Sequence, residues 1–237
     1  MIKRTCFVLL VFMGLSIPAY ADTASGPDPK LAGISHDMET QAEELVIALL
    51  AKNQANSEHY YKLISANLDK LHKSEANTDF NERRARELIM AYSWMRLISL
   101  DMKHSEWIGA AIAANQMRGE IIRFTDFASN TLRDLAWMDY LGRDMMLLSL
   151  ESRMDNLELI GLRKDALNEI WQHVRIDMIR DFRNKPLVVR GDQLMLQMGA
   201  ESSTDQLIEL TNNELDLVQD LKKALSLESA APPVSKK

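Results

Sequence analysis

From Ile34 to Leu227 apolar residues recur three or four positions apart, the spacing of a helix face, with almost no competing strand signal. The longest β-like string is Leu187-Val188-Val189, and no alternating β-branched run is bounded by tight turns. A chain patterned this way must bury its apolar surface by packing helix against helix, so the expected fold class is all-α.

Four helical stretches of similar length are legible. The first runs from about Ile34 to His72 along a seam of Met38, Leu45, Leu49, Tyr60, Ile64, Leu68 and Leu71, interrupted by Asn53 and Asn56. The second opens at Asp79, which makes a capping-box pattern with Glu82, and ends at the Thr125 to Ser129 segment. The third, from Asn130 to about Arg183, is closed by Asn184-Lys185-Pro186, because the residue before a proline is pushed out of helical geometry. The fourth runs from Leu187 to about Leu227, with a break at Gly199 to Ser203 and a fresh cap where Ser203 precedes Gln206 by three.

The architecture expected from these bounds is an elongated antiparallel helical bundle of about four long helices, roughly 60 Å long at about 1.5 Å per residue. Soft breaks near Asn56-Ser57, Ser105, Asn156 and Gly199 offer an alternative, in which each long helix is cut in two and the pieces form a solenoid of helical hairpins. No template of about 34 to 45 positions recurs along the chain, which favours the bundle.

The ends read differently. Residues 1–21 carry a charged start at Lys3 and Arg4, a short apolar stretch from Cys6 to Ile17, and a small-x-small ending at Ala19-Tyr20-Ala21. This is the pattern of a cleavable signal peptide cut after Ala21, and the apolar stretch is far shorter than the roughly 20 residues a membrane-spanning helix needs. Residues 22–30 form a flexible leading segment, 31–228 the bundle domain, and 229–237, with Pro232-Pro233, a disordered tail. The expected mature chain is soluble and has no transmembrane segment.

Cys6 is the only cysteine and leaves with the signal; no asparagine is followed by x-Ser or x-Thr. Eukaryotic secreted domains usually carry disulfides or glycosylation acceptors, so a bacterial periplasm is the expected compartment. The mature balance of 26 basic against 34 acidic residues is −8, which argues against nucleic acid and anionic lipid as partners.

Catalytic motifs are missing from the sequence. There is no G-x-S-x-G, no Gly-rich phosphate loop, no thiol in the mature chain, and the five histidines are scattered, so no enzyme and no cofactor is expected. Asp69 with His72 and Asp101 with His104 have the i, i+3 spacing of metal ligands on a bundle helix, but in a bundle they lie too far apart to share an ion and read as surface pairs. Met195, Met198, Met145 and Met146 could bind Cu(I), yet methionine at helical spacing is first of all a core filler; copper handling is the third reading of function.

The sharpest positive feature is the segment from Arg133 to Arg143, where Asp139 and Arg143 stand at i, i+4 beside Trp137 and Tyr140. Folding the second and third stretches about a turn near Phe127 brings Asn115 level with Asp139, and Ala111 level with Arg143. Facing them, Gly109 to Ala114 is a run of small residues, and small side chains opposite large ones can leave a pocket. Asn115, Trp137, Asp139, Tyr140 and Arg143 are therefore the candidate ligand-binding residues, for a small anion. The first expectation for function is a non-catalytic adaptor that binds another protein of the cell envelope; the alternative is a sensor-like small-molecule-binding bundle centred on these five residues.

Overall fold

The computed structural model of the protein describes residues 29–75, 82–180, 184–200 and 203–230. The expected signal peptide, the Asp79 cap and residues 231–237 of the expected tail (229–237) lie outside the described residues, while residues 229–230 end α8. Among the described residues there is no strand, and eight helices follow one another: α1 (Pro29–Leu50), α2 (Gln54–Glu75), α3 (Glu82–Lys103), α4 (Trp107–Phe124), α5 (Asn130–Ser152), α6 (Leu157–Ile179), α7 (Lys185–Ala200) and α8 (Thr204–Ala230). The protein is all-α, with eight helices rather than the expected four, because each long stretch divides once.

Backbone geometry makes the first two divisions. Lys52 and Ser105 adopt left-handed φ values of 53° and 58°. Beyond α1 the Asn53 amide donates to the Ala48 carbonyl at 2.9 Å and the Lys52 amide to Leu49 at 3.0 Å; α3 ends in the same way, with Glu106 donating to Asp101 at 2.9 Å and Ser105 to Met102 at 3.1 Å. These paired reverse bonds satisfy the last carbonyls of each helix and turn the chain back on itself. Asn53 then starts α2, its Oδ1 accepting from the Asn56 amide at 3.1 Å. Side-chain caps begin later helices: Ser129 accepts from the Leu132 amide at 3.2 Å ahead of α5, and Ser203 accepts from Gln206 at 3.2 Å ahead of α8, as its spacing predicts.

Short connections make sequential helices antiparallel neighbours. Helix α1 packs on α2 and α4, and α3 packs on the same two, closing a ring of four; α5 to α8 close a second ring in the same order, and α4 lies against α5. The α1–α4 and α5–α8 contacts are what an open solenoid would lack. Each ring has its own core, one built on residues such as Leu45, Leu49, Ile64, Leu68, Ile98 and Met117, the other on Leu135, Met138, Leu167, Trp171, Leu217 and Leu221. The cores interlock at the join, because Leu147 of α5 enters the first and Ile122 of α4 enters the second. Met145 and Met198 lie inside the second core with Met195 packed against it, the filler role their spacing suggests.

At Gly191 an added Cβ would collide with the ring of Trp171, so the α7 backbone lies directly on that ring. The fully buried Trp171 donates its indole N–H to Asp192 at 3.0 Å, which fixes that crossing.

A left-handed conformation costs an L-residue about 1–2 kcal/mol, more than the roughly 0.5–1 kcal/mol of backbone entropy that glycine adds. Lys52→Gly and Ser105→Gly should therefore each raise the unfolding free energy, by about 0.5–1 kcal/mol. Urea unfolding checks this, and a loss of stability in both variants would contradict the turn assignment.

Candidate functional site

The four central helices α1, α4, α5 and α8 each place charged side chains at the join between the two rings. Helix α4 supplies Arg118, which is fully buried and ion-paired to Asp139 of α5. Its other terminal nitrogen donates to Glu39 of α1 at 2.5 Å and lies 3.5 Å from Glu43. Arg143 of α5 donates to Glu43 at 3.0 Å and stands 3.6 Å from Asp139. The pairs Glu39/Glu43 and Asp139/Arg143 are both i, i+4, which lays each pair along one helix face.

Glu214 of α8 completes the cluster and differs from the rest. It is fully buried, and neither carboxyl oxygen has a hydrogen-bond partner. Its carboxyl lies against the α5 backbone, where a Cβ on Gly142 would collide with it. Burial, reinforced by the charge of Asp139, raises its pKa well above the ordinary glutamate range and so favours its neutral form.

The other groups follow the same logic with different winners. Burial alone would raise Asp139, but Arg118 and then Arg143 outweigh it, and its pKa is lowered. For Arg118 burial would lower the pKa, and the Asp139, Glu39 and Glu43 carboxylates raise it instead. Glu43 is raised, by burial and then by Asp139. Lys222, two turns beyond Glu214 on α8, adds positive charge that lowers the pKa of all three acids, Asp139, Glu43 and Glu214. The cations Arg118, Arg143 and Lys222 thus stand against four acids, of which Glu214 and Glu43 are pushed towards their neutral forms.

A second network joins α4, α5 and α6. Asn115 donates to the Tyr140 carbonyl at 3.2 Å, Gln116 donates to Asp144 at 2.9 Å, and the Tyr140 hydroxyl donates to Gln116 at 3.0 Å. Arg163 of α6 donates to Asp144 at 2.7 Å. Asp144 is raised by burial despite Arg163, and Tyr140 is raised by burial and by Asp144.

The five residues singled out in the sequence are thus divided. Asp139 and Arg143 belong to the charged junction, and Asn115 and Tyr140 to the second network. Trp137 lies beside them, half-buried, with the Tyr140 ring edge-on at 5.4 Å and the Arg123 guanidinium 5.7 Å from its centroid. Asp139 faces Arg118 rather than Asn115, about one helical turn from the expected register. Ala110, Ala111, Ala113 and Ala114 pack into the first core. Asp69 accepts from the Tyr92 hydroxyl at 2.8 Å, and His72 meets the same ring edge-on. Among the described residues no group of three or more His, Cys, Asp or Glu is placed to hold a metal ion, and no helix is long and apolar enough to cross a membrane.

Glu39, Glu43, Arg118 and Glu214 were not singled out from the sequence. A signal existed in α8, where Leu207, Leu210, Leu217 and Leu221 mark the buried face and Glu214 occupies the position that the period assigns to an apolar residue.

No family model, curated protein or solved structure matches the chain.

Two outcomes follow from the junction. Arg118→Met removes the cation from among buried carboxylates and should lower the unfolding free energy by about 3–5 kcal/mol, measured by denaturant unfolding. A change under about 1 kcal/mol would mean the acids find other partners. For Glu214 and Glu43 the folded pKa is raised, so their contribution is full below the ordinary glutamate range and is lost as pH rises through the folded values. For the lowered Asp139 the contribution is present above the ordinary aspartate range and lost as pH falls. Glu214→Gln, which mimics the neutral acid, should flatten the loss on the high-pH side and leave the acid limb in place. Urea midpoints across pH test this, and unchanged profiles would contradict a raised Glu214 pKa.

Proposed function

We propose that the protein is a non-catalytic adaptor of the bacterial cell envelope, exported by its N-terminal signal and docking on another protein through helix surfaces. The observation that carries this is the α5–α6 corner, where Leu150, Met154 and Leu157 are all exposed, Met154 at 77 %. Three large apolar side chains around one hairpin tip have no role in either core, and such exposed groups mark interaction sites. Methionine suits a docking tip because its unbranched, polarisable side chain adapts to the surface it meets.

The interior supports the same choice over a small-anion binder. Arg143, the expected anion ligand, already engages Glu43 and Asp139, so its charge is answered within the chain. The acidic mature balance and the cysteine-free mature chain support the periplasm as the compartment.

A photo-crosslinking amino acid at position 154 of the full chain, expressed in an exporting bacterium, tests the proposal. A discrete higher-mass adduct is expected from position 154, lost when Leu150 and Leu157 are both changed to Asp, and not seen from position 62 on the polar side of α2. Absence of any adduct from 154 would overturn it. A small molecule retained in native mass spectrometry of the same protein, without an adduct, would favour the ligand-binding bundle instead.

A further inference from the structure

Helices α3 and α6 lie on opposite flanks of the molecule. Helix α3 packs mainly on α2 and α4, and α6 mainly on α5 and α7 with Ile160 reaching Leu207 of α8, so among the described residues each keeps an exposed outer face. On α3 the core side is Leu88, Ala91, Met95 and Ile98. The opposite side shows Ile89 at 65 % exposure and Leu100 at 49 %, set among exposed Arg86, Arg96 and Lys103. On α6 the core side is Ile160, Leu167, Trp171, Val174 and Met178. Its outer side shows Leu162 at 53 % and Ile176 at 55 %, set among exposed Glu158, Asp165 and Glu169. One face is apolar with a basic rim and the other apolar with an acidic rim.

We infer that these faces bind each other between copies of the chain, α3 of one molecule against α6 of the next. Charge complementarity selects a second copy as the occupant. None of Arg96, Lys103, Glu158, Asp165 and Glu169 forms an ion pair within its own molecule among the described residues. The register agrees as well. With eight antiparallel helices in sequence, α3 and α6 run in opposite directions, so two copies in the same orientation bring them together antiparallel, as every sequential pair already is. Laying the two helices end to end level sets Lys103 opposite Glu158, Leu100 opposite Leu162, and Arg96 opposite Asp165. Glu82, the one acid on the α3 face, then falls level with Arg180 at the end of α6. Opposite charges fall level at three heights, with Arg180 shared between Glu82 and its own Asp177, and Leu100 meets Leu162 between the first two.

Because the two faces are different patches on opposite flanks, the contact is heterologous and does not close on itself, so it builds an open row of molecules. This assembly uses neither the α5–α6 corner nor any outside partner, and stands apart from the adaptor role.

Sedimentation velocity on the mature chain, residues 22–237, tests it with point changes at exposed sites. At low salt the weight-average mass should rise with concentration, and it should fall towards the monomer as salt screens the rim charges. Leu100→Asp and Leu162→Asp should each be monomeric, with the melting temperature of the parent protein confirming the fold. Mixed in equal amounts they should form a dimer that grows no further, because one retains an intact α6 face and the other an intact α3 face. A parent chain that stays monomeric into the millimolar range at low salt would overturn the inference. So would a mixture that fails to dimerise, or a single variant that dimerises alone through a self-complementary face.

Discussion

Withdrawing a guanidinium from water costs several kcal/mol unless carboxylates and hydrogen bonds replace the lost solvation. Arg118 is withdrawn completely, and its replacements come from two other helices, Glu39 and Glu43 on α1 and Asp139 on α5. That requirement fixes the relative height of α1, α4 and α5, since a slide of one turn along any of them would strand a buried charge. Apolar packing draws the two rings together without regard to register. The junction supplies the register, much as a single polar position does in a helical coil.

Neutralising Glu214 is part of the same balance. A fourth ionised acid would leave the cluster short of positive charge, and the two oxygens of Glu214 have no donor to meet them. The raised pKa favours shedding that charge, and the stability it contributes declines as pH rises through the folded value. Arg163 and Asp144 show the ordinary solution one helix further out, where a raised acid still has an arginine and two amide side chains around it.

The sequence displayed the all-α class openly because the helical period runs nearly unbroken, and it displayed the Ser203 cap because a hydroxyl three residues before an amide partner is a local pattern. It marked soft breaks near Asn56 and at Ser105, but concealed the left-handed geometry at Lys52 and Ser105 that makes them full turns. Both residues are left-handed without being glycine, and the reverse hydrogen bonds that hold them are made by backbone atoms whatever the side chain. Asp139 and Arg143 were visible as a local pair, but the partner that matters for each lies on another helix: Glu43 is 100 positions from Arg143, and Arg118 is 21 from Asp139. Charges spaced at i, i+4 read as a solvated face until the other helices are in place, so the junction had to be seen folded.

The close passage of α8 over Gly142 couples two remote positions. A methyl group at 142 would meet the Glu214 carboxyl oxygen first, so the end of that side chain would have to move aside. A change at 142 would therefore be felt first by the Glu214 carboxyl and, through it, by the charge balance around Arg118.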